Sequence, residues 1–326
     1  MESTPAVGHA TSQPHRIDIH HHIYPPAYFT KAAEHIRGVT HAFYPRLLEW
    51  TPSKALEVMD RDGIATAIVS ISAPGIWFGD AAAAAALARE CNDYAAQMAR
   101  DHKGRFGLFA ILPLGDVERS LREIEYAYDV LKADGIALMT NCLDLWPGDA
   151  AFAPVFDALN ERKAVVYFHP TAASFLSKVL PDIPAPTVEF PFDTTRAILS
   201  LLFSGTTSRC PDIRFIFSHG GGALPMVAGR MVGLAGVRKE LGSRIPNGVM
   251  AELKRFYYDI ASVTNRVAFN AIRDLVGTSQ LLFGSDYPFW SPDLAISGLR
   301  DMGLDADGLA AIERTNALKL LPKLRQ

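Results

Sequence analysis

The chain has 326 residues, of which 49% are hydrophobic and 21% are charged, and its formal net charge is −3 at pH 7. This composition can fill a large hydrophobic core, and the small negative charge gives no reason to expect a nucleic acid or an acidic membrane surface as a partner. No apolar run approaches the roughly 20 residues that a membrane-spanning helix needs.

The cysteines and the N-terminal segment are typical of a protein in a reducing compartment. Cys91, Cys142 and Cys210 are unevenly spaced and form no CxxC pair, which indicates free thiols and no thiolate metal site. Residues 1–14 are small and polar and do not have the pattern of a secretory signal. We expect a disordered tail over residues 1–14, one domain over residues 15–326, and a cytoplasmic location.

Eight apolar segments alternate with helical patterns along the chain. Most are near-continuous runs of Ile, Val, Phe and Leu, as expected for parallel strands covered on both faces. The predicted strands are residues 16–22, 65–72, 105–112, 135–140, 164–169, 213–219, 256–260 and 280–285. The predicted helices are residues 81–102, 117–133, 152–162, 194–208, 224–241, 264–276 and 307–323. This alternation favours a closed (β/α)8 TIM barrel over the alternative, an open doubly wound sheet.

The first strand ends in two histidines at alternate positions, His20 and His22. Residues i and i+2 of a strand point to the same side, so these two imidazoles can bind one metal ion. The histidine between them, His21, is expected to point to the opposite side. Two imidazoles are an incomplete site, so further ligands must come from elsewhere in the chain.

Three other strands also end in residues that can bind a metal. The fifth strand ends at His169 and the sixth at His219, and Asp286 follows the eighth. In an open sheet these positions would be spread across its width, whereas in a barrel the strand ends converge around one axis. The sequence therefore predicts a metal enzyme whose site lies at the carboxyl end of the barrel.

Two long segments are expected to extend over this end of the barrel. Residues 25–50 follow the first strand and are rich in aromatic side chains. Residues 175–192 follow the fifth strand and contain several prolines, which predict an irregular loop. Barrel active sites are built from such βα loops. The alternatives are packing against the barrel and contact with a second subunit.

These motifs resemble the amidohydrolase superfamily, and in particular its branch of aminocarboxymuconate-semialdehyde decarboxylase-like enzymes. The resemblance covers the chain from Arg16 onward. It rests on the Asp-x-His-x-His opening, His169, His219, the Gly-Ser-Asp-Tyr-Pro around Asp286, and Asn316-Ala317. Ser-His-Gly-Gly-Gly within 215–230 and Tyr-Tyr-Asp-Ile-Ala-Ser within 256–262 are specific to that branch. Residues 135–141, 148–169 and 189–205 further resemble 6-methylsalicylate decarboxylases and other salicylate-type decarboxylases.

The resemblance implies a metal-dependent carboxy-lyase with His20, His22, His169 and Asp286 as metal ligands. The fourth strand has no lysine to bridge two metals, so we expect one divalent ion, Zn(II) or else Mn(II), and no organic cofactor. His219 matches the catalytic histidine of the relatives. The alternatives for His219 are a fifth ligand and a hydrogen-bonded core residue.

The expected reaction is non-oxidative decarboxylation of a small aromatic acid with an ortho hydroxyl, or of a related unsaturated acid. The ring carbon bearing the carboxylate is protonated, and loss of CO2 then restores aromaticity. Asp286 and His219 are both candidates for the proton donor, and the sequence does not choose between them. Asp18 is expected to support the site. Relatives imply a homodimer or a dimer of dimers.

Further residues are candidates for binding the substrate. An arginine could pair with the carboxylate, with a surface or interface salt bridge as the alternative for each one, and aromatic side chains could stack on the ring, with core packing as their alternative. The candidates are Arg46, Arg196, Arg230, Trp77, Phe78, Phe192 and Trp290.

Two other functions fit the same ligands. The first is a hydrolase or hydratase acting on a lactone, an amide or an unsaturated acid, which would add water and release no CO2. The second is a barrel without catalytic activity that acts as a binding protein.

Overall fold

The structure is a computed structural model that describes residues 15–178, 180 and 182–325. The predicted tail, residues 1–14, lies outside the described residues. In the described part of the chain, no helix is both long enough and apolar enough to span a membrane.

Eight parallel strands form one sheet, in the order in which they occur in the chain. They are β1 (Arg16–His22), β2 (Ile64–Ser70), β3 (Phe106–Ile111), β4 (Gly135–Met139), β5 (Val165–His169), β6 (Arg214–Phe217), β7 (Tyr257–Asp259) and β8 (Leu281–Leu282). Backbone hydrogen bonds join the first strand to the segment after the last, from Ile19 N to Phe283 O (3.0 Å) and from Asp286 N to His20 O (2.8 Å). The predicted (β/α)8 TIM barrel is confirmed.

Helices surround the strands, and several are capped by side chains that the sequence supplies. Asp80 and Asp116 each accept a hydrogen bond from a backbone N–H in the first turn of the following helix. The helices are α1 (Pro26–Thr40), α2 (Tyr44–Leu48), α3 (Pro52–Arg61), α4 (Ala81–Asp101), α5 (Val117–Glu125), α6 (Ala153–Glu161), α7 (Ala185–Ser204), α8 (Thr206–Arg209), α9 (Leu224–Val237), α10 (Lys239–Gly242), α11 (Val249–Arg255), α12 (Arg266–Val276), α13 (Pro292–Arg300), α14 (Ala306–Ala310) and α15 (Asn316–Leu320).

The two long segments are more regular than the sequence indicated. Residues 25–50 form α1 and α2, and α7 begins at Ala185, within the segment expected to be irregular up to residue 192. Pro184 occupies the N-cap position of α7 and Pro186 lies in its first turn, where a missing N–H breaks no helical hydrogen bond, whereas Pro191 lies inside the helix. Reading every proline as a helix breaker was therefore wrong for the second half of this segment.

The side chains that fill the barrel interior indicate which residues of β4 and β5 face the candidate metal site. Its buried side chains include Ala137 of β4 together with Val165 and Tyr167 of β5. Because side chains alternate along a strand, Met139 and His169 face the same interior at the carboxyl ends of these strands. The two residues are direct partners in the β4–β5 ladder.

An irregularity in β1 turns both of its functional histidines inward. Asp18 pairs with Ala67 and His21 pairs with Val69, so two residues of β1, Ile19 and His20, lie opposite one residue of β2. Such a bulge inserts one residue and changes the direction of the side chains that follow. Ile19 therefore packs in the barrel interior while the adjacent His20 still reaches the metal site.

Candidate metal centre

Four buried side chains from three parts of the barrel converge at its carboxyl end. The ligand-type atoms of His20, His22, His169 and Asp286 all lie within 4.8 Å of one another. Nε2 of His20 and Nε2 of His22 are 3.0 Å apart, and each is 3.2 Å from Oδ1 of Asp286. The structure thus brings together the four residues that the sequence predicted as ligands.

The chemistry of this cluster fits a divalent cation. Asp286 Oδ1 is buried and faces the Nε2 atoms of His20 and His22 at 3.2 Å without a well-aligned hydrogen bond, an arrangement that a cation between these atoms would satisfy. The backbone of Asp286 also has a left-handed conformation (φ 62°), which a non-glycine residue rarely adopts without a functional reason. Three imidazoles and one carboxylate are suitable ligands for Zn(II) or Mn(II).

The second nitrogen of each imidazole is held by the protein. This arrangement fixes the ring orientation and leaves Nε2 free for a metal. The contacts are His20 Nδ1 with Asp259 Oδ2 (3.0 Å), His22 Nδ1 with Ser70 O (3.3 Å) and His169 Nδ1 with Pro170 O (2.9 Å).

Asp18 joins β1 to the segment that carries Asp286. One of its oxygens accepts hydrogen bonds from the backbone N–H groups of His20 (3.1 Å) and Ser285 (3.0 Å). The other accepts the Ser285 hydroxyl (2.5 Å) and lies 3.1 Å from His21 Nδ1. Asp18 therefore supports the site, and His21 turns away from the metal ligands and stacks on Tyr287.

In the metal-free protein, burial and neighbouring charges give the candidate ligands very different pKa values. Burial disfavours a charged His20, but the carboxylates of Asp259 and Asp286 outweigh it and raise the pKa of His20 to about 10. Burial, reinforced by the charge on His20, lowers the pKa of His22 to about 4. Burial would raise the pKa of Asp286, but the charge on His20 holds it well below its usual range.

His219 lies beside the four ligands in a constrained position. Its backbone N–H donates to Asp259 Oδ1 (3.0 Å), its Nδ1 is 3.0 Å from the carbonyl oxygen of Ala261, and its φ is 53°. These contacts direct Nε2 toward Asp286, whose Oδ2 is 4.0 Å away. His219 is thus placed to exchange a proton with a group bound at the metal centre.

Asp259 is a functional residue that our sequence analysis did not select. It contacts both His20 and His219, and it is completely buried. The available signal was a carboxylate at the end of an apolar strand, which is the same signal that identified Asp286. The adjacent Gly284 allows this close packing, because a Cβ there would lie 2.9 Å from the Cβ atoms of His20 and Asp259.

A cavity of about 560 Å³ lies on the neighbouring side of the barrel mouth, over the ends of β2 to β5. Its walls include Trp77 and Phe78, as predicted for a substrate pocket, and also Met139. Met139 pairs with His169 on the next strand, so the backbones of these two residues are about 5 Å apart. The volume is within the range of small-molecule sites.

The other predicted substrate residues lie away from this cavity. Arg46 is exposed and donates to the carbonyl oxygen of Phe289 (3.2 Å). Arg230 is exposed on α9, and Arg196 pairs with Asp193 (3.5 Å). Phe192 and Trp290 are 46% and 43% exposed, so their roles in stacking on a ring stay predictions.

Comparison with known proteins agrees with this geometry. Residues 17–323 match the amidohydrolase family. The decarboxylase yanB of Aspergillus niger is 37% identical over 95% of this chain and 88% of that protein. The 6-methylsalicylic acid decarboxylase acuB of Aspergillus aculeatus is 34% identical over 95% of this chain and 97% of that protein.

Solved structures share the fold. A dihydroxybenzoic acid decarboxylase from Polaromonas sp., with bound manganese and the inhibitor 2-nitroresorcinol, superposes with a TM-score of 0.85. It is 22% identical, and the match covers 96% of this chain and 98% of that chain.

Proposed function

The chain belongs to the amidohydrolase family, and we propose that within this family it releases CO2 from a salicylate-type acid, in which a hydroxyl group stands ortho to the carboxylate. It is a metal-dependent decarboxylase of a small aromatic acid, and 6-methylsalicylic acid decarboxylases are among its relatives. The observation that carries the proposal is the convergence of three imidazoles and one carboxylate beside His219 and an apolar cavity.

We assign the metal ion to His20, His22, His169 and Asp286, with Zn(II) as the first choice and Mn(II) as the alternative. The manganese in the Polaromonas structure supports the second ion, and the ligand types suit both. A bound divalent cation would supply Lewis acidity and a positive charge that withdraws electrons from the acid.

The proton for the ring carbon comes from His219 rather than from Asp286. Asp286 is surrounded by imidazoles that hold its pKa well below its usual range, so it carries no proton to donate near neutral pH. His219 has its Nδ1 beside the carbonyl oxygen of Ala261, which leaves Nε2 to hold and deliver a proton on the side of Asp286.

The aromatic ring occupies the cavity beside His169. Trp77, Phe78 and Met139 form an apolar wall on which a ring can pack, and Ile111 and Leu138 extend it. Among the described residues that line the cavity there is no lysine or arginine. The cavity of a single chain therefore offers no contact between the substrate carboxylate and Arg46, Arg196 or Arg230.

The remaining proposals concern the assembly, location and extent of the domain. A homodimer is supported by α9, on which Met226, Val232 and Val237 are exposed apolar residues that a second copy could cover. The free thiols of the three cysteines suit a cytoplasmic enzyme. Residues 15–326 would act as one domain.

The decisive experiment is CO2 release from purified protein of known metal content. The panel is salicylate, 6-methylsalicylate and dihydroxybenzoates, with a sample treated with EDTA and one restored with Zn(II) or Mn(II). Metal-dependent CO2 release is expected. Full metal occupancy without CO2 from any of these acids would contradict the proposal and direct the next assay to lactones and amides.

A further inference from the structure

Asn141 is a polar residue in the wall of the cavity that we assign to the aromatic ring. It lies just after β4, and it lines the cavity although it is only 8% exposed. The residue before it, Thr140, donates its backbone N–H to the carbonyl oxygen of the candidate ligand His169 (3.0 Å). Asn141 therefore lies where the cavity borders a strand end that carries a candidate metal ligand.

The protein fixes the orientation of the Asn141 amide group. Its Nδ2 donates two hydrogen bonds, one to the carbonyl oxygen of Thr171 (3.1 Å) and one to Oδ2 of Asp193 (2.8 Å). Both partners are acceptors, so a reversed amide would place its oxygen against two other oxygens. The donor side of the amide is thus used inside the protein, and Oδ1 points away from these partners.

The oxygen of this amide is an acceptor without a partner. Within the described part of the chain, Asn141 Oδ1 accepts no hydrogen bond, and it is not sealed from solvent. Because the residue is otherwise buried and lines the cavity, the accessible surface of Oδ1 faces the cavity. A ligand that filled the cavity without a donor at this point would leave Oδ1 buried and unpaired, which weakens binding.

The charges at this end of the cavity favour a neutral donor over an anion. Asp144 also lines the cavity, and its two oxygens accept hydrogen bonds from the backbone N–H and the hydroxyl of Ser174. No lysine or arginine is found among the described lining residues to offset this carboxylate. A substrate carboxylate is therefore disfavoured here and favoured beside a metal ion, whereas a hydroxyl group can donate to Asn141 Oδ1.

We propose that Asn141 determines substrate specificity by accepting, at Oδ1, a hydrogen bond from a hydroxyl group on the aromatic ring. This inference rests on the proposed function, in which the carboxylate lies at the metal ligands and the ring fills the cavity. A hydroxyl and a methyl group are similar in size, and an apolar wall alone favours the methyl, because the hydroxyl loses its water there. A fixed acceptor shifts this preference toward the hydroxyl at the ring position that faces it.

The test uses three pairs of acids that differ only in a hydroxyl or a methyl group: 2-, 3- and 4-hydroxybenzoate against 2-, 3- and 4-methylbenzoate. Calorimetry measures their binding to the metal-loaded protein, and the ratio of the two affinities in a pair reports on the hydroxyl at that position. CO2 release is followed in parallel and corrects for any acid consumed. The variants are Asn141→Leu, which has a similar shape without an acceptor, and Asn141→Ala.

Thr140→Val is the matched control. The Thr140 hydroxyl donates to the same Oδ2 of Asp193 (2.5 Å), but Thr140 is completely buried and is not among the described residues that line the cavity. The control and the Asn141 variants all remove a hydrogen bond to Asp193, and only the Asn141 variants remove an acceptor from the cavity. A purely structural role of Asn141 would therefore affect the ratios alike in both cases.

We expect the ratio of hydroxybenzoate to methylbenzoate affinity to fall about tenfold or more at one ring position in both Asn141 variants, and to change by less than about twofold in Thr140→Val. Ratios in the Asn141 variants within about twofold of the wild type at all three positions would overturn the proposal. An equal change in Thr140→Val, or failure of the wild type to bind any of the six acids, would overturn it too.

Two further outcomes keep the test decisive. If the Asn141 variants do not fold, the wild type decides alone: a ratio about tenfold higher at one position supports a single fixed acceptor, and equal ratios at all three positions overturn it. If the wild type releases no CO2 but the ratio still depends on Asn141, the proposed reaction fails and the contact with the ring hydroxyl stands.

Discussion

Metal binding should release one proton per ion, and this proton should come from His20. In the metal-free protein the pKa of His20 is about 10, so this imidazole is charged at pH 7.5, whereas the pKa of His22 is about 4 and that of His169 is well below its usual value. A metal ligand must be a neutral imidazole. His20 therefore has to lose its proton when the ion binds, while the other two histidines lose none.

The size of the effect follows from this stoichiometry. Loss of one proton makes the metal affinity rise about tenfold, or about 1.4 kcal/mol, for each pH unit below the pKa of His20. Between pH 6.5 and pH 8.5 the affinity should thus increase about a hundredfold. Titration calorimetry in buffers of different ionisation enthalpy measures the number of protons, and competition with a chelator measures the affinity.

The matched variant is Asp259→Asn, which removes the carboxylate that contributes most to raising the pKa of His20. In this variant fewer protons should be released at pH 7.5, although the four ligands are unchanged. Ionisation of a water on the metal would release protons equally in both proteins, so the difference reports on His20. A wild type that binds metal without proton release between pH 7 and pH 8 would refute the reasoning.

Three further outcomes follow from the geometry of the site. The His169→Ala variant should lose bound metal and activity together, whereas His219→Ala should keep most of its metal and lose about 10²- to 10⁴-fold in rate; metal analysis and CO2 assays distinguish them. The Gly284→Ala variant should lose about 1–3 kcal/mol of stability in denaturant unfolding and bind metal more weakly, since its Cβ would be 2.9 Å from those of His20 and Asp259. In the metal-free protein, the stabilising contribution of the raised His20 pKa is complete below pH 6.5, and unfolding experiments should show it disappearing as the pH rises toward 10.

The convergence of the four candidate metal ligands was predictable because their positions depend on local rules. Alternation within a strand pairs His20 with His22, and the closure of a barrel brings the ends of different strands to one place. Neither rule requires knowledge of side-chain packing. The eight strands themselves were recognised from apolar runs for the same reason, although β8 proved shorter than predicted because the Phe283 N–H donates to Ile312 O instead of extending the ladder.

Other features depend on contacts that no local pattern encodes. The bulge that places Ile19 and His20 opposite one residue of β2 comes from the pairing of two strands more than 40 residues apart. The partnership of Asp259 with His20 joins residues 239 positions apart. Pro184 and Pro186 were misread, because a proline at the start of a helix does not end it, and Pro191 is tolerated inside α7 in a way that no local pattern encodes.

The arrangement of polar and apolar groups explains why this barrel end suits decarboxylation. The candidate metal ligands lie on β1, at the end of β5 and after β8, whereas the cavity over the ends of β2 to β5 is lined mostly by apolar side chains, with Asn141 and Asp144 among its polar groups. An aromatic acid placed across this boundary would have its carboxylate beside the metal ligands and its ring in a region of low polarity. CO2 is neutral, so its departure removes charge from the side of the metal ligands. The division of the barrel mouth into two halves is thus a physical reason for the reaction that its relatives perform.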